Sequence, residues 1–318
     1  MNRALKRIVL FTVVFLCITG LVFAGGSKES QKTGKGKITI AYTGFPGGLT
    51  PFWAQMAKYM QEEADALGVK LIDLSPTTAD ANLQKQSVDN AIDMGVQGII
   101  IGSIDNRAFG ESLKKAGSKG IIISAVDTAI DDPNVKALAQ TDNLASARLL
   151  GQYIVDHTSQ KGKVLILGGT LGHQTGDARR DGVKQVLEGN GYEVIFRACD
   201  WDDKKAYETA INELDAHPDI VVVFGCWDPG ALAGLAAVKE KGLLGKINVY
   251  GFDGLPAAFK SIKDGELTAT IKQDNKQMAH VIMNTTVLLI KGQEPPVKRL
   301  LIPGVVVDKS NVDKFLEK

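Results

Sequence analysis

Short apolar runs alternate with longer stretches whose apolar residues recur every three or four positions, and the alternation fills nearly the whole chain. The runs predict strands at Ile38 to Tyr42, Val69 to Leu74, Gly98 to Gly102 and Ile121 to Val126. After a turn at Asp132-Pro133 they resume at Lys163 to Leu167, Glu193 to Ala198, Ile220 to Phe224, Ile247 to Phe252, Ala269 to Gln273 and Gly304 to Val307. Helical spacing fills the gaps. In Phe52 to Leu67, residues Trp53, Met56, Ala57, Met60, Ala64 and Leu67 form one apolar stripe, and Gly68 closes it as a left-handed cap. Further helices are expected over Asp80 to Met94, Arg107 to Ala116, Asn143 to Thr158, Asp177 to Gly189, Lys204 to Ala216, Gly230 to Lys241, Pro256 to Asp264 and Lys276 to Lys291. Asp308 to Lys318 reads as a solvated tail.

Uninterrupted runs such as Ile220-Val-Val-Val-Phe224 are strands covered on both faces, as in parallel sheets flanked by helices. There are too many strands for one sheet. The expected fold class is α/β, with two similar doubly wound parallel-sheet lobes dividing near residue 142.

The first 24 residues follow another pattern. Arg3, Lys6 and Arg7 precede the apolar stretch Ile8 to Leu16, and Val22-Phe23-Ala24 forms a small-residue exit. This is the layout of a secretory signal peptide cleaved after Ala24, and its apolar core is shorter than the ~20 residues of a membrane span. Residues 25–37, rich in Gly, Ser and Lys, read as a flexible leader. Removing 24 of 318 residues leaves a mature chain of about 294, expected in the periplasm, with lipid anchoring through Cys17 as a minor alternative. The net charge of +1 over the whole chain comes without any basic block, which argues against nucleic acid or anionic lipid as partner. Cys199 and Cys226 are left: a disulfide is permitted outside the cytoplasm, and two buried free thiols are a reading of at least equal standing.

Ligands of open parallel sheets sit beyond the C-terminal ends of the strands. Those positions hold Thr50-Pro51-Phe52-Trp53, Ser103, Asp127, then Thr170, His173, Gln174 and Arg179. Trp201, Trp227, Phe252-Asp253 and Gln273 complete the set. Only 6% of the chain is aromatic, yet all three tryptophans fall here. Carboxylate, amide and guanidinium groups pair with hydroxyls that both donate and accept, and the C–H face of a sugar ring lies flat on an aromatic face. The mixture points to a polyhydroxylated ligand. No nucleophile stands beside an obvious base, so the chain is read as a binder and not an enzyme.

With Pro51-Phe52-Trp53, Thr141-Asp142-Asn143, Arg179 within ARRDGV, His217-Pro218-Asp219, Gly251-Phe252-Asp253-Gly254 and Thr270-Ile271-Lys272-Gln273, the chain resembles the type I periplasmic binding proteins of the ribose/galactose cluster, from about Lys37 to Phe315. The resemblance implies a three-segment hinge near Thr141-Asp142, Gln273-Asp274 and Pro303. The implied lobes are 38–141 plus 274–302 and 142–273 plus 303–318. It implies that Phe52, Trp53 and Trp201 stack on a sugar ring, with Phe252 at the wall; Trp227, where the family has an amide, adds a further ring. Asp127, Arg179, Asp253 and Gln273 then grip hydroxyls, and Thr50, Ser103 and Thr141 make lesser polar contacts. Thr50, Asp127-Thr128 and Trp227 depart from the ribose-binding pattern, and Gly47-Gly48 lengthens the first loop, which turns the expectation toward another monosaccharide or a polyol. The implied partners are the permease and ATPase of an ABC importer, with the receptor a monomer. A chemotaxis or signal-molecule receptor is the alternative on the same fold, with a sugar-acting enzyme, Asp127 and Asp253 as its acid/base pair, behind it.

Other signals are weaker. Gly168 to Gly172 lacks phosphate-loop spacing and reads as close backbone packing near a ligand. The four histidines are scattered, and Asp200 to Asp203 lacks the glycine and distal glutamate of a calcium loop, so neither metal nor cofactor is expected.

Overall fold

The computed structural model describes residues 36–47 and 50–316. The expected export signal, almost all of the leader, and Gly48 of the first loop lie outside the described residues. No described helix is long and apolar enough to cross a membrane.

The chain opens with β1 (Thr39–Thr43), α1 (Pro51–Leu67), β2 (Lys70–Asp73), α2 (Ala81–Asp93), β3 (Gly98–Ile101), α3 (Gly110–Ser118), β4 (Ile122–Val126) and β5 (Val135–Thr141). It continues through α4 (Asn143–His157), β6 (Lys163–Gly168), α5 (Gln174–Gly189), β7 (Glu193–Ala198), α6 (Asp203–Ala216), β8 (Ile220–Gly225) and α7 (Asp228–Glu240). Then follow β9 (Asn248–Asp253), α8 (Pro256–Asp264), β10 (Ala269–Lys272), α9 (Asn275–Ile290), β11 (Arg299–Ile302) and β12 (Val305–Asp308).

Two six-stranded sheets result, in the orders β11-β5-β4-β3-β1-β2 and β12-β10-β9-β8-β6-β7. The orders correspond strand for strand. All pairings are parallel except that of β12 with β10. The fold is therefore the expected α/β pair of lobes. The chain passes from the first sheet to the second after Thr141, returns after Lys272, and crosses again between Ile302 and Val305. Asp142 and Asp274 each cap the helix that follows a crossing, accepting from the N–H of Ala145 at 3.1 Å and of Gln277 at 3.0 Å. Such caps contribute about 1 kcal/mol each.

The core follows from strand alternation. Ile99 and Ile101 face α2 and α3, whereas Ile100 faces α1 and α9 with Ile40 and Tyr42. In the second lobe Val164 to Leu167 and Val222 to Phe224 are fully buried.

Two expectations need correction. Strands β5 and β11, which pair with each other, were not anticipated. Val135–Thr141 carries two alanines, a lysine and a glutamine and lacks a β-branched run, and Arg299–Ile302 is a four-residue edge strand. The C-terminal segment is no solvated tail: Val312 is buried and Phe315 stacks on Phe259, with ring centres 5.7 Å apart. Of the two readings open for Cys199 and Cys226, the structure shows buried free thiols.

Candidate functional site

The C-terminal strand ends of the two sheets border a cavity. Phe45, Thr50, Pro51, Phe52, Trp53 and Asp127 line it from the first lobe. His173, Thr175, Arg179, Trp201, Trp227, Pro229, Asp253 and Leu255 line it from the second, and Gln273 from the crossing after β10.

The aromatic walls are built from the backbone outward. Pro51 opens α1 with its missing N–H at a position where none is needed, and this sets Phe52 and Trp53 in the first turn. Trp53 stacks on Phe45 (5.4 Å, 19°) and meets Phe52 edge-on (5.3 Å, 80°). Across the cavity Trp201 meets Trp227 edge-on at 5.5 Å and His173 at 5.3 Å. Each indole is seated on a glycine. A Cβ at Gly102 would come within 2.3 Å of Trp53, one at Gly169 within 2.2 Å of Trp201, and one at Gly230 within 2.5 Å of Trp227. The Gly168-Gly169 pair is thus close packing, as expected, with aromatic rings over it.

Three lining residues hold unusual backbone conformations. Asp127 has φ 64°, Trp201 φ 62° and Asp253 φ 139°. Non-glycine residues in such regions cost roughly 1–3 kcal/mol each, and this clustering at a cavity marks a site where side-chain direction outweighs local comfort.

Arg179 is the hub of the polar end. It is buried at 3% exposure on α5, and its guanidinium lies 4.0 Å above the Phe252 ring. Nε donates to Asn143 Oδ1 at 2.9 Å, and Nη1 donates to the Cys226 carbonyl at 2.9 Å and to Asp253 Oδ1 at 3.2 Å. Gln273 Nε2 donates to the same Asp253 oxygen at 2.8 Å, and Thr141 Oγ1 donates to Gln273 Oε1 at 2.7 Å. Asp228 sits behind, accepting from Leu255 N at 2.7 Å and Thr270 Oγ1 at 2.6 Å. Burial pushes the Asp253 and Asp228 carboxyls above the usual carboxylate range, and Arg179 opposes this at both. Burial raises Asp127 as well, again against the pull of Arg179.

Three buried polar atoms on the lining have no protein partner among the described residues: Asp127 Oδ1, His173 Nδ1 and Trp201 Nε1. His173 reaches across the lobes, its Nε2 3.3 Å from the Ser103 carbonyl. A carbonyl only accepts, so Nε2 carries the proton and Nδ1 is left as an acceptor. Burial lowers the His173 pKa to about 4, keeping the ring neutral. The lining thus presents two acceptors and one indole donor that no described residue pairs with, whereas buried polar groups are normally paired.

Residues 41–294 match the periplasmic binding protein domain. The chain belongs to the periplasmic binding protein family. A D-allose-binding periplasmic protein of Escherichia coli is 32% identical over 235 residues, covering 70% of this chain and 76% of the relative. The ribose import binding protein of Bacillus subtilis is 28% identical over 273 residues, covering 86% and 88%. The solved structure of an ABC transporter periplasmic solute-binding protein from Actinobacillus succinogenes, with bound D-allose, superposes with a TM-score of 0.82 at 26% identity, covering 87% of this chain and all of that one. Such relatives are binding proteins working outside the cytoplasm.

Within this periplasmic binding protein, nine of the twelve residues singled out from sequence line the cavity: Thr50, Phe52, Trp53, Asp127, Arg179, Trp201, Trp227, Asp253 and Gln273. Ser103, Thr141 and Phe252 do not. Thr141 holds Gln273, Phe252 supports Arg179, and Ser103 offers its carbonyl to His173, so each stands behind a lining residue. Thr128 turns away to Asp127 Oδ2 and Thr175 Oγ1, at 2.9 and 3.1 Å. Phe45, Thr175, Pro229 and Leu255 escaped the sequence reading. His173 was on the strand-end inventory but was set aside with the scattered histidines. Its place just before α5, beside Gly172, was the available signal.

Proposed function

We propose that this chain is an extracytoplasmic receptor that binds a monosaccharide or polyol between its lobes and delivers it to the permease and ATPase of an ABC importer. The carrying observation is the cavity itself: indole and phenyl faces from both lobes, a hydrogen-bonded end built on Arg179, Asp253 and Gln273, and three orphaned polar atoms aligned with it. A pyranose or furanose ring presents apolar C–H faces to the first and hydroxyls to the second. The names of the relatives, which bind allose and ribose, support the same reading.

In this reading Phe52, Trp53 and Trp201 stack on the ring and Trp227 limits its width. Asp127, Arg179, Asp253 and Gln273 take its hydroxyls, and Thr50 contributes a minor contact. Lobes 38–141 plus 274–302 and 142–273 plus 303–318 hinge at the three crossings, and closure removes water from the ligand's hydrogen bonds. The protein is exported to the periplasm with cleavage after Ala24, works as a monomer, and catalyses no reaction. A thermal-shift panel of pentoses, hexoses and polyols tests the binding claim: one member of the panel raises the melting temperature by several degrees in a dose-dependent way. A flat response to the whole panel removes the proposal. Intact mass of the exported protein, starting at Gly25, checks the processing.

A further inference from the structure

The lining of the cavity combines hydrogen-bonding groups with an apolar wall. Asp253 and Gln273, at the hydrogen-bonded end, also border a depression shared with Lys272, Asp274 and Lys276 of the crossing segment. Pro51, Pro229 and Leu255 form an apolar wall, beyond which lies a wider groove lined by alanines 54, 233, 236 and 257 together with Gln55, Asp203, Lys204 and Tyr207. That wall has nothing to pair with a hydroxyl. Neither proline has an N–H. Leu255 N already donates to Asp228 Oδ2 at 2.7 Å, and its carbonyl accepts from Phe259 N at 3.0 Å. The carbonyls of Pro51 and Pro229 fall inside the helical ladders of α1 and α7.

Resting on the sugar reading of the cavity, we propose that the ligand is a deoxy sugar whose terminal carbon bears no hydroxyl and packs against Pro51, Pro229 and Leu255. Its hydroxyl-bearing carbons face Asp127, Arg179, Asp253 and Gln273. A hydroxyl pressed on the apolar wall gives up its bonds to water and gains none, whereas a methyl group there leaves water at no such loss. The discrimination is bounded, because an apolar pocket rejects an added hydroxyl by at most about a hundredfold.

Titration calorimetry on matched pairs reads this directly: D-ribose with 5-deoxy-D-ribose, D-allose with 6-deoxy-D-allose, L-galactose with L-fucose, and L-mannose with L-rhamnose. The expected result is that a deoxy sugar binds, about ten- to a hundredfold tighter than its hydroxylated partner. Pro229→Ser puts a hydroxyl on the exposed end of the wall and narrows that ratio to about threefold or less, through the parent sugar binding better. A hydroxylated parent that binds as tightly as its deoxy partner, or binding confined to fully hydroxylated sugars, overturns the inference and leaves the sugar reading intact. Silence from all of these sugars and from the thermal-shift panel takes down both.

Discussion

Asp127 and Asp253 stand at corresponding places in the two lobes, after β4 and at the end of β9, each the third strand of its sheet. Both are buried and both have positive φ. Their surroundings differ. Asp253 is held by Arg179 and Gln273 before any ligand arrives, whereas Asp127 has only Thr128 on one oxygen and nothing on the other. The second lobe therefore carries a finished polar site and the first lobe an unfinished one. In the proposed reading the second lobe is the prepared docking half, and Asp127 supplies a further acceptor from the first.

Removing Asp253 should have the largest effect. Asp253→Ala leaves the Arg179 guanidinium buried with no carboxylate, a change that costs roughly 3–5 kcal/mol. Binding of the panel's sugar should vanish from calorimetry and the melting temperature should fall, with circular dichroism near normal. Retained tight binding would mean the prepared half is not the docking half.

His173 gives a test through pH. Its pKa is lowered to about 4 in the fold against 6.5 in the unfolded chain. A lowered value means stability present above pH 6.5 and lost as pH falls toward 4, by at most about 3 kcal/mol. The buried carboxyls act oppositely: with raised values, they gain as pH falls. The difference between wild type and His173→Gln isolates the histidine, since Arg179, Asp105 and Asp177, the charges that act on it, remain in both. Melting curves should converge between pH 6.5 and 4; parallel curves would show that burial does not depress this histidine, whose bond to the Ser103 carbonyl pulls its pKa the other way.

Trp201→Ala should weaken sugar binding about tenfold to a hundredfold, from a stacking loss of ~1–3 kcal/mol by analogy with base–aromatic platforms. Unchanged affinity removes this ring from the site. The mildest change is Asp127→Asn, with roughly tenfold weaker binding from one lost charge-assisted hydrogen bond and no drop in melting temperature, since no protein cation is left behind. A drop as large as that of Asp253→Ala would erase the contrast between the lobes.

Much of this was legible in the chain because burial on both faces of a strand leaves a plain mark, as in Ile220 to Phe224. Positions just past such strands could then be read off, which brought Asp127, Trp201 and Asp253 together. Partner strands with ordinary composition, such as Val135–Thr141, leave no mark until their neighbour is known. The same holds for Leu255 and Pro229, which look like any core leucine or helix-starting proline. The support roles of Thr141 and Phe252 were also hidden, because strand-end position does not tell a side chain that faces the cavity from one that braces its neighbour.

All the tryptophans of the chain, Trp53, Trp201 and Trp227, line one cavity. Tryptophan emission, excited to the red of the six tyrosines, therefore originates at the cleft. Ligand entry can be followed in real time without a label, and replacing the indoles one at a time with phenylalanine assigns the optical response to one lobe or the other.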